Sequence, residues 1–140
     1  MNTSQLGNIG EAKVLCKFTE LQVPVYLPYG DGNEIDLIAI FNGKANAIQV
    51  KTTEKVHENS YMIWRISKQD GYHGSKKCYD ANIDYFALYC LELDLLCLVP
   101  YSKTEGKKTI QIRLDSYSGR KLSTMHFAQE FSFENQILSH

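Results

Sequence analysis

Hydrophobic and polar positions recur with two different periods along this chain, and the longer period comes first. In residues 4–22, Glu11, Leu15, Phe18 and Gln22 fall at helical spacing, and Ile9, Ala12 and Leu21 widen the apolar side. That pattern predicts an amphipathic helix. Gly7 and Gly10 weaken its start but let another element approach closely. Val23-Pro24 predicts its end, because a residue before proline avoids the α region.

From there the period shortens to two. Residues 25–27 read as a short extended piece and 28–33 as a turn-rich loop. Strands are predicted over 34–41 and 44–53, joined by Asn42-Gly43, the dipeptide most strongly tied to a tight hairpin. A further strand follows over 61–66. Residues 67–82 are polar with Gly71 and Gly74, and predict a loop and then a short helix around 75–81. Apolar strands over 85–91 and 95–99 come next, the second stopped by Pro100, then a strand over 109–114 and a helix within 124–138. A helix, then a hairpin-rich sheet interrupted by a helix, makes one mixed α/β domain over 1–140.

The two-residue turn fixes a register. Phe41 faces Lys44, Ile38 faces Ala47, Asp36 faces Gln49 and Glu34 faces Lys51, all on one side. That side is apolar at the turn and polar at the far end. The opposite side carries Ile35, Leu37, Ala39, Ile48 and Val50. A hairpin apolar on both faces has no structural need of Glu, Asp, Gln and Lys at one end. Opposed side chains lie roughly 4.5–5.5 Å apart at Cβ, near enough to share a ligand. A Glu34–Lys51 ion pair beside an Asp36–Gln49 hydrogen bond accounts for the pattern structurally. A hard-cation site accounts for it chemically, with oxygens from Asp36, Gln49 and the Val50 carbonyl beside Lys51. Metal-free acid–base work by Glu34 and Asp36 is the third reading. Glu11, a carboxylate on the apolar stripe of the helix, needs a cation or donors if that stripe is buried.

Composition sets the class. The chain has 140 residues, 44% hydrophobic and 22% charged, enough for a single core. It shows no secretory signal pattern and no apolar run of membrane-spanning length, so a cytoplasmic protein is expected. Cys16, Cys78, Cys90 and Cys97 lack zinc-ligand spacing and read as free thiols, with Cys90 and Cys97 candidates to face each other across a hairpin. The net charge is −1, yet residues 101–121 carry six bases against two acids, and Arg65, Lys68, Lys76 and Lys77 form a second cluster opposed by Asp70 alone.

The run Gly7-Asn8-Ile9-Gly10-Glu11, then Glu34-Ile35-Asp36, then Ile48-Gln49-Val50-Lys51-Thr52 resembles the PD-(D/E)xK nuclease superfamily. The later Tyr79, Ile83-Asp84-Tyr85-Phe86-Ala87 and Val99-Pro100 are similar to the branch holding group I intron homing endonucleases; archaeal Holliday-junction resolvases share its core. The resemblance implies a restriction-endonuclease-like α/β core, a helix followed by a mixed sheet with an inserted helix. It aligns Asp36 with the motif aspartate, Gln49 with the (D/E) position, Lys51 with the lysine and Glu11 with the helix glutamate. Ile35 stands where the motif has proline, and Gln49 replaces a carboxylate.

The implied activity is Mg²⁺-dependent DNA cleavage, with Mn²⁺ an alternative ion. Glu11, Asp36, Gln49 and Val50 are the expected metal ligands, and Lys51 the group that orients water. Lys68, Lys76, Lys77, Lys103, Lys107, Lys108, Arg113, Arg120 and Lys121 are the expected contacts to double-stranded DNA, with Tyr72, Tyr79 and Tyr117 as candidate backbone contacts. Cutting two strands with one centre per chain implies a homodimer or larger homo-oligomer, for which strands 85–91 and 95–99 are candidate interfaces. A junction-resolving nuclease or an inactive DNA-binding homologue are the alternatives to a sequence-specific homing-type enzyme.

Overall fold

The computed structural model describes residues 1–30, 32–69, 76–78, 82–114 and 125–138. Helix α1 (Thr3–Glu20) opens the chain. Asn2 caps it: its Oδ1 accepts the Gln5 N–H at 2.9 Å, and the Gln5 Oε1 accepts the Asn2 N–H at 2.9 Å. This reciprocal pair satisfies two donors that the first turn leaves unbonded. The helix stops before the proline, with Gln22 in the left-handed region (φ 61°) and the Val23 N–H returning to the Phe18 carbonyl. Its buried line is Gly10, Val14 and Phe18, one position round from the stripe the sequence predicts. Ala12 is exposed, and Glu11 sits half-buried on the flank.

Strands β1 (Val25–Tyr26), β2 (Leu37–Phe41), β3 (Lys44–Thr53), β7 (Tyr85–Cys90) and β8 (Leu95–Pro100) form a five-stranded sheet in the order β1-β2-β3-β7-β8. Among the described residues of this sheet, only β3 and β7 pair in parallel. The hairpin register is as the turn predicts, from Phe41↔Lys44 to Leu37↔Ile48, with Asn42 and Gly43 both at positive φ (54° and 72°). Buried Asn46 braces this end, its Nδ2 donating to the Phe41 and Lys44 carbonyls.

The crossover from β3 to β7 runs through strands β4 (Tyr61–Arg65), β5 (Ser67–Gln69) and β6 (Lys76–Cys78). The predicted short helix around 75–81 is therefore corrected in its described part: Lys76–Cys78 pairs antiparallel with Ser67–Gln69. Its lysine-rich sequence carries no apolar alternation to mark a strand, and the pairing partner supplies the ladder instead. β4 joins β9 (Thr109–Arg113) and the two-residue β10 (His126–Phe127) in a second sheet, ordered β10-β9-β4. The C-terminal helix α2 is only Phe133–Leu138, preceded by a 3-10 turn over Ala128–Phe131.

The five-stranded sheet separates two cores. On one face Val14 and Phe18 of α1 and Phe133 and Ile137 of α2 pack on Leu37, Ala39, Phe41, Ile48, Val50, Ala87 and Leu98. On the other, Met62, Trp64, Ile110 and Ile112 of the second sheet cover Phe86, Leu88, Cys90, Cys97 and Val99. Side chains of β7 and β8 thus fill both cores, so the interface expected on strands 85–91 and 95–99 is not offered by their side chains, which are largely buried. Cys90 and Cys97 pair with Leu95 and Leu88, not with each other; both are free thiols whose pKa burial pushes up, that of Cys97 to about 12. Among the described residues no helix is long and apolar enough to cross a membrane.

Candidate active site

Asp36 stands where the β2–β3 ladder ends. Its N–H donates to the Ile48 carbonyl at 2.8 Å, although Ile48 is the register partner of Leu37. Two consecutive residues thus face one, the arrangement of a β-bulge, which bends a strand and re-aims a side chain. The predicted register runs only as far as Leu37↔Ile48, so Asp36–Gln49 and Glu34–Lys51 stand beyond the regular ladder. The Asp36 carboxylate turns instead to the strand edge, where its Oδ2 accepts the Val50 N–H at 2.7 Å. In a strand, the N–H and C=O of one residue point to the same edge. The Val50 carbonyl therefore faces the Asp36 side.

Helix α1 brings the second carboxylate. It can lie close to β3 because Gly10 has no side chain: a Cβ there would collide with the Thr52 Oγ1 and stand 3.2 Å from its Cβ. The close approach carries the next residue, Glu11, near enough to Asp36 to act on its ionisation. Glu11, Asp36, Leu37 and the loop residues Leu27, Pro28, Gly30, Gly32 and Asn33 line a cleft of about 380 Å³. The sequence marks that loop only as a turn, and its place just before the aspartate strand is the one signal of a role in the cleft.

The electrostatics follow. The Asp36 pKa is raised from 3.8 to about 6, first by burial away from water and then by Glu11, against the opposing pull of the Val50 N–H and of Lys51. A neighbouring carboxylate disfavours the charged form of Asp36, and a cation between the two would offset that repulsion. Lys51 is half-buried and within electrostatic reach of Asp36. Gln49 is only 9% exposed, and its Oε1 is sealed from solvent without a hydrogen-bond partner. A buried acceptor without a donor is costly, and a hard cation would satisfy it. Two carboxylates, an amide oxygen and a main-chain carbonyl form a donor set suited to Mg²⁺. Among the described residues no three His, Cys, Asp or Glu side chains cluster as metal ligands; this set reaches beyond two acids only through Gln49 and the backbone.

Gln49 and Lys51 pair in register with Phe86 and Leu88 of β7, whose side chains lie under the second sheet. They therefore point to the face opposite α1, while Glu11 comes from the α1 side. Asp36, at the open edge, is where the two sides meet. Glu34 is half-buried and lines a shallow crevice with Gly32, Asn33, Ile35 and Asn82.

A larger cleft, of about 770 Å³, lies at the turn end of the sheet around Lys44, Asn46, Asp84, Tyr85 and Tyr101. Of its two acids, Glu105 is exposed and Asp84 is committed to structure: Asp84 Oδ1 meets the Lys44 Nζ at 3.1 Å, and Oδ2 accepts the Ala47 N–H at 2.8 Å. Chemistry rather than size therefore points to the smaller cleft.

The two basic clusters converge in space. The Ile66 and Ser67 N–H groups both donate to the Lys108 carbonyl, joining the β4–β5 corner to the loop before β9. Lys103, Lys107 and Lys108 are exposed there. Lys68, Lys76 and Lys77 lie on the adjoining β5–β6 hairpin, Lys68 opposite Lys77. Arg113 is half-buried on β9, its guanidinium 5.5 Å from the Tyr61 ring centroid. Arg120, Lys121, Tyr72, Tyr79 and Tyr117 lie outside the described residues.

Residues 1–134 match a family model described as PD-(D/E)XK endonuclease. The fold is similar to the solved structure of a bacterial homing endonuclease, I-Ssp6803I, with a TM-score of 0.66 at 20% identity, covering 88% of this chain and 83% of that one. A search of curated proteins finds no match.

Proposed function

The chain belongs to the PD-(D/E)XK endonuclease family, and from that footing we propose that it is a Mg²⁺-dependent endonuclease cutting double-stranded DNA at a chosen sequence, a homing-type enzyme. The observation that carries the reading is the meeting of Glu11 and Asp36 at the Val50 backbone edge, one residue along β3 from Gln49, whose buried Oε1 has no partner among the described residues. The likeness in fold to a bacterial homing endonuclease supports the finer assignment.

Glu11, Asp36, the Gln49 Oε1 and the Val50 carbonyl would hold the ion, Mg²⁺ or Mn²⁺ in its place. Bound there, it would lower the pKa of a coordinated water and offset charge building on the phosphate. Lys51 carries a positive charge to the same place, where it orients the attacking water and stabilises the developing negative charge. Water adds to phosphorus as the bond to the 3′ oxygen breaks, leaving a 5′-phosphate and a 3′-hydroxyl. Because Gln49 brings no charge, the two acids and the substrate phosphate carry the electrostatics of ion binding.

Lys68, Lys76, Lys77, Lys103, Lys107, Lys108, Arg120 and Lys121 supply the contacts that track the DNA backbone, and Arg113 is a further contact to the DNA. Cleavage of both strands calls for at least two copies of the chain. Incubation of the protein with supercoiled plasmid tests the reading: nicked and linear products in Mg²⁺, and none in EDTA, support it. No cleavage of plasmid, genomic DNA or a four-way junction in Mg²⁺ or Mn²⁺ would leave a DNA-binding module only. Cutting confined to the junction would make the enzyme a resolvase.

A further inference from the structure

Strands β4 and β9 form an antiparallel ribbon whose two sides differ in kind. Met62, Trp64, Ile110 and Ile112 point inward and are at most 2% exposed. The alternate residues form the outer side in register pairs: Tyr61 opposite Arg113, Ile63 opposite Gln111, and Arg65 opposite Thr109. Arg65, Thr109 and Gln111 are exposed, and none of the ten residues of the two strands is acidic. A solvent-facing ribbon needs polar side chains, but it does not need two arginines and a glutamine on one side.

The arginine at one end is held. Its guanidinium lies 5.5 Å from the centroid of the Tyr61 ring, which also stacks with His57 at 5.4 Å and an interplanar angle of 19°. An aromatic face that restrains the guanidinium reduces the rotamer freedom lost when it binds. At the other end, Arg65 adjoins the corner where Lys107 and Lys108 meet the β5–β6 hairpin. The ribbon is therefore flanked by bases that can hold phosphates, while its own side chains are of a different type.

Those types match base edges. Arginine meets guanine and glutamine meets adenine through paired hydrogen bonds, and the major groove of B-form DNA, about 12 Å wide, admits a two-stranded ribbon. The outer side also looks the right way. The second sheet packs on the face of the five-stranded sheet toward which Lys51 and Gln49 point, so its outer side faces the same direction one layer further out.

We propose that the outer side of the β4–β9 ribbon enters the major groove and reads sequence through Arg65, Gln111 and Arg113. The inference rests on the nuclease reading for its substrate, and it adds the residues that choose the site. Phosphate contacts from the lysines set position, and the ribbon sets identity.

The test is selection of bound duplexes from a pool with a 20-base-pair randomised core, in EDTA so that nothing is cut, followed by sequencing. The parent should enrich defined base pairs. Gln111→Ala should relax preference by roughly tenfold at one or two adjacent positions, and Arg65→Ala at others. Arg113→Lys keeps the charge but loses the paired geometry, and should relax preference at a third position. Circular dichroism identical to the parent's excludes a folding defect. Enrichment of no sequence by the parent, or the same preferences in all three variants, overturns the assignment of the ribbon. The nuclease reading is judged separately, by Mg²⁺-dependent plasmid cleavage with the parent protein.

Discussion

Gly10 of α1 and Thr52 of β3 lie so close that no side chain fits between them. A Cβ on Gly10 would collide with the Thr52 Oγ1 and stand 3.2 Å from its Cβ and 3.4 Å from its Cγ2. Rotation of Thr52 relieves the first contact but not the tight approach of its Cβ. Gly10→Ala should therefore push α1 off the strand and draw Glu11 from Asp36. The expected cost is about 1–3 kcal/mol of stability, the range for overpacking, with a fall in cleavage beyond what the unfolded fraction explains. Denaturant unfolding and plasmid cleavage on the same preparation measure both, and adding Thr52→Ala should recover part of each.

The Asp36 pKa sets a pH dependence. Burial, with Glu11 beside it, holds the group at about 6 against an ordinary 3.8, so the folded protein binds this proton more tightly than the unfolded chain. That stabilising contribution is fully present below about pH 4 and is lost as pH rises through about 6. Metal-free protein should thus give up stability over this window, and Asp36→Asn should flatten the slope and be the more stable variant at pH 7. Unfolding midpoints from pH 4 to 7.5 read this directly.

With Mg²⁺ the same proton competes with the ion. Cleavage by the parent should fall as pH drops below about 6, and a higher Mg²⁺ concentration should move the fall to lower pH. A pH–rate series at two Mg²⁺ concentrations checks it; an unmoved profile would separate Asp36 from ion binding.

Gln49→Glu changes the charge of the donor set and little else. It adds a carboxylate near Asp36, whose charged form burial and Glu11 already disfavour, so the metal-free variant should be less stable than the parent. In Mg²⁺ the order should reverse, with half-maximal cleavage at lower ion concentration. Thermal unfolding with and without Mg²⁺, and a Mg²⁺ titration of cleavage, give the two signs.

Much of this architecture could be read before any coordinates. Asn42-Gly43 announced a hairpin and its register, because a two-residue turn with both residues at positive φ leaves no freedom in the pairing. The candidate acids are legible from their chemistry, since Glu11 and Asp36 sit where apolar residues would otherwise be expected. The bulge at Asp36 was not, because period-two alternation says which side a residue faces only while the ladder lasts. The helix stripe was misplaced by one position, since the closest contact is made by Gly10, which no hydrophobic pattern registers. Strand β6 was missed because Lys76 and Lys77 carry no burial signal. Convergence of the basic clusters depends on the Lys108 carbonyl meeting Ile66 and Ser67, a long-range pairing that no local window holds.

The salt dependence of DNA binding tests that convergence. If Lys107 and Lys108 each neutralise a phosphate, the double alanine variant should weaken binding to mixed-sequence duplex and lower the log–log salt slope by about 2. Fluorescence anisotropy from 50 to 200 mM salt, in EDTA, measures the slope. An unchanged slope would remove this corner from the interface.

The central claim is that Asp36 and Lys51 belong to one hydrolytic centre. Its most direct test is single-turnover cleavage by Asp36→Ala and Lys51→Ala in Mg²⁺, with duplex binding measured alongside. Each variant should bind DNA within a few-fold of the parent and cut it at least about a thousandfold more slowly. Cleavage by either variant at the parent's rate would place the chemistry elsewhere in the chain.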